Sequence, residues 1–156
     1  MTSPAPDGAG DPDLARRCAE EMYARDRASR HLGIAVREVA PGRATATMTV
    51  SDTMVNGHDI AHGGYVFLLA DTAFAFACNT YGTVTVAAGA DVSFVAPARL
   101  GDELVAEACE RGRYGRSGVY DVTVRRAGDG AVVAEFRGRS RDLGRPLLGG
   151  DLPDAR

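Results

Sequence analysis

One carboxylate lies in the middle of the most apolar stretch of the chain. Residues 65–78 read YVFLLADTAFAFAC, in which 12 of the 14 residues are apolar and the two others are Asp71 and Thr72. Burying a charge among apolar side chains costs free energy, because the ionised form loses its hydration. Such surroundings set the pKa of a carboxylate, which can then act as a general base or as a nucleophile. We therefore interpret Asp71 as a catalytic carboxylate.

Two other interpretations of Asp71 stay open at this point. It could be a structural residue whose side chain is capped by Thr72 or by a neighbouring backbone group. It could instead bind a metal, for which His58, Asp59 and His62 are the only partners nearby. The spacing His58-x-x-x-His62 falls in a predicted loop, and Asp71 is too far along the helix to join these residues. We therefore expect no metal site and no cofactor.

The two glycines before the apolar run favour binding of a negatively charged oxygen. A helix is predicted to begin near His62-Gly63-Gly64, and a helix N-terminus carries free N–H groups and a partial positive charge. Without side chains at Gly63 and Gly64, a ligand can approach this backbone closely. N–H donors aimed at an oxygen that becomes negative form an oxyanion hole. The alternative is that the glycines only permit tight packing at a turn.

The spacing between Gly63 and Asp71 constrains how the two residues can act together. They are 8 residues apart, which corresponds to about 12 Å along a helix axis. An oxyanion donor and an attacking group must both lie about 3 Å from one reacting carbon. One helix can hardly supply both, whereas two antiparallel helices from two subunits could. The sequence therefore predicts a homodimer, or a dimer of dimers, with active sites between chains.

Two polar side chains near the glycines are further candidates. The amide of Asn56 could donate to the same carbonyl oxygen or hold a water, or it could simply stabilise the Asn56-Gly57 turn. His62 could orient the loop, donate to a substrate or cap the helix. The chain has no GxSxG motif and no Cys–His pair of evident design, which argues against a serine or cysteine hydrolase.

A cluster of arginines lies in the glycine-rich segment GRYGRSG at residues 112–118. Arg113 and Arg116 lie within it and Arg111 directly precedes it. The segment falls between two predicted strands, so it is not a dinucleotide-binding fingerprint. The arginines are either part of a solvated turn or bind phosphate through the paired hydrogen bonds that a guanidinium can make.

Composition indicates one globular domain and excludes some partners. The chain has 156 residues, 45% of them hydrophobic and 25% charged, with a formal net charge of −3. No global positive charge favours nucleic acid, and the apolar run is too short to span a bilayer. Three cysteines at unrelated spacings suggest no disulfide framework, and the N-terminus has no apolar signal-peptide region. We expect a cytoplasmic protein that binds neither nucleic acid nor membrane.

The elements that would position these residues follow from hydrophobic periodicity. They are, in order, a disordered segment over 1–12, a helix over 13–29, a β-hairpin over 34–50 with its turn at Pro41-Gly42, the long apolar helix, strands after Gly82 with turns at 98–102, 112–118 and 127–130, and a loose tail over 143–156. One domain over 13–142 is predicted. A helix that is apolar nearly all round must be buried on most sides. A single antiparallel sheet can achieve this only by curling around the helix, which indicates an α+β fold.

The segment NGHDIAHGGYVFLLADTAFAFACN, residues 56–79, resembles the acyl-CoA thioesterases of the hot-dog fold, specifically the PaaI group of phenylacetate catabolism. The resemblance implies a curved antiparallel β-sheet wrapped around one long central helix, paired into dimers and commonly tetramers. It also implies hydrolysis of an acyl-CoA thioester, such as phenylacetyl-CoA or a hydroxylated derivative, to the free acid and coenzyme A.

The resemblance also assigns roles to residues by position. Asp71 corresponds to the catalytic carboxylate, and Gly63 to the oxyanion N–H of the other subunit, with His62 beside it. Asn56 corresponds to the polar residue that holds the thioester carbonyl or the water. Arg116, Ser117 and Gly118 correspond to the coenzyme A contact. Together with Gly64 at the open helix start and Arg113 in the arginine cluster, they are the predicted substrate-binding residues. A Ser or Thr places the water in some relatives; here the nearby candidates are Gly89 and Ala90, with Ser93 further on, so that role stays unassigned.

Two other functions stay open. A hot-dog enoyl-CoA hydratase would need an Asp–His pair, for which His58 or His62 would have to serve. A non-catalytic binder of acyl-CoA or an aromatic ligand would gain nothing from the buried charge of Asp71. The acyl group is not specified by the sequence, although Phe67, Phe74 and Phe76 are consistent with an aromatic pocket as well as with an ordinary core.

Overall fold

The computed structural model of the chain describes residues 10–149. The helices are α1 (Pro12–Arg25), α2 (Arg27–His31) and α3 (Gly63–Cys78), with one 3₁₀ turn at Asp52–Met54. The strands are β1 (Ala35–Ala40), β2 (Arg43–Thr49), β3 (Thr83–Phe94), β4 (Glu103–Tyr114), β5 (Ser117–Arg126) and β6 (Val132–Pro146). No helix in this part of the chain is long and apolar enough to cross a membrane.

The six strands form one sheet in the order β1-β2-β4-β5-β6-β3, and every neighbouring pair is antiparallel. Helix α3 contacts all six strands. One straight helix can reach both edges of a six-stranded sheet only if the sheet curves around it. The predicted α+β architecture, with a curled antiparallel sheet around the long helix, is therefore what the chain forms.

The core lies between α3 and the concave face of the sheet. Alternate residues of β5 are buried, as expected for a strand with one face on the core. Fully buried residues of α3 meet fully buried residues of the strands. On the helix they are Leu69, Ala70, Ala73 and Ala77, and on the sheet they are Ala46, Leu104, Ala106, Val122, Val124 and Ala134. The small alanines let the helix lie close to the strands.

One stripe of α3 is not covered by the sheet of its own chain. Phe67, Leu68, Asp71 and Ala75 are only half-buried, and their spacing places them on one side of the helix. Asp71 therefore lies on the single face of the apolar helix that its own chain leaves partly open.

Three predicted boundaries are corrected by the structure. The predicted helix over 13–29 is two helices, because Asp26 ends α1 and its carboxylate accepts the Ser29 N–H at 2.9 Å as the N-cap of α2. Helix α1 begins at Pro12, within the segment expected to be disordered, whose residues 1–9 lie outside the described part. Strand β6 continues to Pro146, which pairs with Thr83, so residues 143–146 of the expected loose tail belong to the strand.

The glycine-rich turn is also shorter than predicted. Strand β4 continues to Tyr114 and β5 begins at Ser117, which leaves Gly115 and Arg116 as the turn. Gly115 has φ 56, a left-handed conformation that glycine adopts without steric strain. Arg111 and Arg113 therefore lie on strand β4 and not in a loop.

Candidate active site

A short loop sets the start of α3. Val55 and Ala61 form an isolated antiparallel bridge, and Ala61 donates its N–H to the Ala98 carbonyl at 2.7 Å. The next residue, His62, donates its N–H to the Met54 carbonyl at 2.8 Å. These bonds anchor the loop on both sides, so the first turn of the helix has a defined position relative to the sheet.

The first turn of α3 leaves a single amide proton available. His62 is the N-cap residue, and its Nδ1 accepts the Gly64 N–H at 3.0 Å. The Tyr65 N–H donates to the His62 carbonyl at 3.0 Å. Within residues 10–149 the N–H of Gly63 has no acceptor. Because this donor lies at the positive end of the helix, it can bind an oxygen that becomes negative.

Gly63 lies directly against an aromatic side chain. A Cβ atom added there would lie 2.9 Å from Cζ of Phe94, whereas one added to Gly64 would meet the His62 ring at 3.2 Å. The aromatic ring of Phe94 thus packs directly on the backbone that carries the available N–H. Sequence reasoning did not identify Phe94, because it ends a strand 31 residues further along the chain.

Asn56 stabilises the loop through one end of its side-chain amide. Its Oδ1 accepts the N–H groups of His58 at 2.9 Å and Ile60 at 3.4 Å, which stabilises the loop. Its Nδ2 has no acceptor in the described part of the chain, so the amide protons can be donated to a ligand. Asn56 and Gly63 line the same cavity of about 600 Å³.

The imidazole of His62 has a defined tautomer in this arrangement. Since Nδ1 accepts the Gly64 N–H, the ring proton is on Nε2. The side chain is exposed, so Nε2–H faces outward and can donate to a bound molecule. Of the roles predicted for His62, capping of the helix is observed directly.

Asp71 is a half-buried carboxylate without a hydrogen-bond or ion-pair partner in the described part of the chain. Burial raises the pKa of its carboxyl above the ordinary value of 3.8. No hydrogen bond or ion pair to its side chain exists among residues 10–149. Thr72 does not cap it, because the Thr72 hydroxyl lies 3.3 Å from that of Ser29 on the other side of the helix. The structural interpretation of Asp71 as a residue capped by Thr72 is therefore wrong.

The candidate catalytic groups of one chain do not all lie together. The cavity at the N-terminus of α3 includes Asn56 and Gly63 but not Asp71. Asp71 is two helical turns further along the same helix, about 12 Å away at the rise of an α-helix. No group of three His, Cys, Asp or Glu side chains that could hold a metal exists in the described residues.

The three arginines predicted as a cluster have separate environments. Arg111 pairs with Asp121 at 2.8 Å. Arg113 lies over the Tyr81 ring, with Cζ 3.6 Å from the centroid, and its Nε is 3.3 Å from the Glu110 carboxylate. Arg111 and Arg113 are therefore already paired within the chain, so neither is simply part of a solvated turn.

The remaining residues predicted to contact coenzyme A lie at the C-terminal end of α3. Arg113, Arg116 and Ser117 line a small depression together with Cys78. Gly118 is buried, and a Cβ atom there would lie 2.8 Å from the Ser140 hydroxyl. Its lack of a side chain is therefore explained by packing within the sheet.

Two of the three phenylalanines of α3, Phe74 and Phe76, are buried in the core, whereas Phe67 is half-buried on the open stripe of the helix. Phe74 packs on Tyr120 and Phe136 with ring centroids 5.6 and 5.8 Å apart. Phe67 packs on Phe136 at 5.4 Å, and Phe76 on Tyr23 at 6.4 Å. The aromatic side chain that lines the cavity beside Gly63 is Phe94.

Comparisons with known proteins identify the family and the fold. Residues 58–133 match the Thioesterase superfamily. The chain is 41% identical over 131 residues to the acyl-coenzyme A thioesterase PaaI of Escherichia coli strain K12, covering 84% of this chain and 93% of that protein. The structure of PaaI from the phenylacetic acid degradation operon of E. coli superposes with a TM-score of 0.84 at 40% identity, covering 86% and 97% of the two chains. A mutant of the phenylacetic acid degradation protein PaaI from Thermus thermophilus has a TM-score of 0.72 at 35% identity, covering 76% of this chain and all of the other.

Proposed function

The chain belongs to the thioesterase superfamily and has the hot-dog fold, and from that premise we propose how it performs thioester hydrolysis. It is an acyl-CoA thioesterase that releases a carboxylic acid and coenzyme A. We further propose arylacetyl-CoA thioesters, such as phenylacetyl-CoA or its hydroxylated derivatives, as its substrates. The relatives named above come from phenylacetate degradation, which supports this choice.

The mechanism is supported by two hydrogen-bond donors at the site that have no acceptor in the described residues. The Gly63 N–H is the one amide of the first turn of α3 that lacks an acceptor in the described residues, and Asn56 Nδ2 lies beside the same cavity. A thioester carbonyl oxygen that accepts both protons is polarised, and the charge that develops on it in the transition state is stabilised. Removing one such donor from an enzyme typically lowers kcat by about 10²–10³-fold.

Asp71 supplies the attack in one of two ways. As a nucleophile, its carboxylate oxygen forms a bond to the carbonyl carbon, the C–S bond breaks, the coenzyme A thiolate leaves, and water then cleaves the resulting anhydride. As a general base, it takes a proton from water while the hydroxide adds to the carbon, and the thiolate that leaves accepts that proton. The raised pKa of the Asp71 carboxyl makes it a stronger base than an exposed aspartate.

Two copies of the chain complete the site in this proposal. Strand β3 is 12 residues long and lies at the edge of the sheet, so its outer backbone groups are available for pairing. Antiparallel pairing of β3 with its counterpart would place the two α3 helices side by side and antiparallel. The half-buried stripe with Asp71 would then face the first turn of the partner's α3. We propose a homodimer as the catalytic unit, which can assemble further into a homotetramer.

The coenzyme A end of the substrate is assigned to the opposite end of α3. Arg113, Arg116 and Ser117 lie there, on the same chain as Asp71. Arg116 is exposed and has no ion pair among the described residues, and a guanidinium suits phosphate binding. Gly64 contributes by leaving the helix start open, since its own N–H is bonded to His62.

The described site does not contain the groups that a hydratase would need. Such an enzyme needs an Asp–His pair, and within residues 10–149 neither His58 nor His62 bonds to a carboxylate. A pure binder gains nothing from an unpaired, half-buried carboxylate. We therefore retain hydrolysis as the function.

The test is release of free thiol from a panel of acyl-CoA substrates by the purified protein. Phenylacetyl-CoA and its hydroxylated derivatives should be turned over faster than straight-chain acyl-CoAs of equal carbon number. Turnover of straight chains with little activity on aryl substrates would refute the substrate class while leaving the hydrolytic mechanism in place. Release of a hydrated product with no free thiol would refute hydrolysis itself.

A further inference from the structure

The cavity at the N-terminus of α3 has an almost entirely apolar wall. Its volume is about 600 Å³, within the range of about 300–1,000 Å³ usual for small-molecule sites. Asn56 is the one polar side chain in its lining, which is formed by Asn56, Ile60, Ala61, Gly63, Val66, Phe94, Val95, Ala96, Pro97, Ala98 and Val133. No charged side chain lines it, so it suits an uncharged apolar group.

Two large apolar side chains of this wall are unusually open to solvent. Phe94 is 57% exposed and Val95 is 61% exposed. Exposed apolar side chains that cluster beside a cavity mark a surface that binds another apolar group. The cavity is continuous with the oxyanion donor, because the Phe94 ring packs on Gly63 itself. A molecule held at the Gly63 N–H must therefore lie beside Phe94.

We infer that this cavity holds the acyl group of the substrate and that Phe94 determines the preference for an aryl group. The inference rests on the proposed function, which places the thioester carbonyl at the Gly63 N–H. Besides its oxygen, the carbonyl carbon carries the hydrocarbon part of the acyl group and the sulfur of coenzyme A. No cation lines this cavity in the described part of the chain, so it does not suit the phosphates of coenzyme A. The apolar acyl group is the substituent that fits.

The Phe94 ring supplies a selective contact. Aromatic rings prefer offset or edge-to-face packing against another ring, a preference that a small aliphatic group cannot use. Replacing Phe94 by Leu keeps an apolar side chain but removes the ring. Ala96 also lines the cavity and is half-buried. Replacing it by Leu would fill part of the cavity and reduce the volume available to the acyl group.

The experiment compares kcat/KM for phenylacetyl-CoA and acetyl-CoA, which share the coenzyme A portion. We expect Phe94→Leu to lower the ratio of the two kcat/KM values by roughly tenfold, the upper end of the worth of one aromatic contact. Ala96→Leu should lower the same ratio, because the added side chain takes volume that a phenylacetyl group needs and an acetyl group does not. Tyr114→Leu is the matched control, since Tyr114 is an aromatic residue that is 63% exposed and lies outside the cavity. It should leave the ratio unchanged. An unchanged ratio in Phe94→Leu, or equal losses on both substrates, would overturn the inference.

A binding measurement separates this inference from the proposed function. Two nonhydrolysable analogues of the acyl-CoAs have a CH₂ group between the carbonyl and the sulfur; one carries a phenyl group and the other a methyl group. The dissociation constant of each analogue is measured by calorimetry for the wild-type protein and for each variant. If the wild-type protein hydrolyses no thioester but Phe94→Leu weakens only the phenyl ligand, the proposed function fails and the acyl cavity stands. If neither ligand binds, or both bind the variant as tightly as wild type, the cavity assignment fails.

The remaining candidate for this cavity is a second copy of the chain. In that case Phe94→Leu would change the sedimentation coefficient or the concentration dependence of the oligomer without altering the substrate ratio, and the acyl assignment would be overturned. Because Phe94 is more than half exposed, its replacement should not unfold the protein, and thermal unfolding of each variant checks this.

Discussion

The Nδ1 atom of His62 accepts the amide proton of Gly64 at 3.0 Å, and this bond decides which donor remains at the start of α3. A histidine that caps the helix in this way satisfies the second amide and leaves the first, that of Gly63, without an acceptor in the described residues. The N-terminal positive charge of the helix is thereby presented through one N–H. A single aimed donor is what a developing oxyanion needs.

Replacing Gly63 tests this donor directly. Gly63 is the first residue of α3, a position where proline fits a helix, and His62 already has the extended conformation (φ −59, ψ 131) that proline requires of its predecessor. Gly63→Pro should therefore preserve the helix while removing the N–H, and lower kcat by about 10²-fold or more. Gly63→Ala is the matched control, because it adds the same Cβ against Phe94 but keeps the N–H. Equal activity of the two variants would show that crowding, and not the hydrogen bond, is responsible.

Asp71→Asn should lower kcat by roughly 10²-fold or more, the scale of losing a catalytic base. The variant should remain folded, since the half-buried carboxylate makes no hydrogen bond or ion pair within residues 10–149 that Asn would break. Steady-state kinetics with phenylacetyl-CoA and a urea unfolding curve measure the two effects. Asp52→Asn, at an exposed carboxylate in the 3₁₀ turn, is the control and should retain full activity. Near wild-type turnover in Asp71→Asn would refute its catalytic role.

The pKa of Asp71 gives stability a specific pH dependence. Burial raises the pKa of this carboxyl above 3.8 in the folded state, so the folded protein binds the proton more tightly than the unfolded chain does. Its contribution to the free energy of unfolding is therefore greatest below pH 3.8 and falls as pH rises through the folded pKa. Asp71→Asn should remove that decrease and be the more stable form, relative to wild type, at neutral pH. Urea unfolding of both proteins from pH 4 to 8 gives the free energy of unfolding as a function of pH. Parallel pH dependences for wild type and Asp71→Asn would contradict a raised pKa of Asp71.

Mixing two inactive variants tests whether each site uses two chains. A heterodimer of Asp71→Asn and Gly63→Pro has one site with both native groups and one with neither. Random exchange of subunits should therefore restore about one quarter of the wild-type activity. Exchange is verified by native mass spectrometry, with chains of different isotope content. If heterodimers form and activity stays at the level of the parents, one chain holds the whole site.

Arg113→Ala combined with Arg116→Ala should raise KM for an acyl-CoA with little change in kcat, because the arginines would hold a part of the substrate remote from the reacting carbon. The effect should weaken at high ionic strength, as exposed charges are screened. An acyl-pantetheine thioester lacks the nucleotide phosphates and should show little change. An equal loss on both substrates would assign these residues to folding, for example through the packing of Arg113 on Tyr81.

The order of elements and the long helix could be predicted from the sequence. The apolar run of 65–78 predicts a largely buried helix, and the alternating segments after Gly82 predict strands, because both patterns arise from backbone geometry alone. The turn at Pro41-Gly42 follows in the same way, since Gly42 has φ 70. The unusual position of Asp71 could also be recognised without the structure, because the sequence shows a single charged residue within an apolar run.

The surroundings of the candidate groups were decided by the tertiary structure. Phe94 meets Gly63 because strand β3 lies at the edge of the sheet beside α3, and no local pattern predicts which strand occupies that edge. The Gly63 N–H is available because His62 bonds to the next amide, and Arg111 is paired because the register of β4 and β5 places Asp121 beside it. Local sequence determines periodicity and turns, whereas competition among hydrogen-bond partners and the register of distant strands arise only when the whole chain is folded.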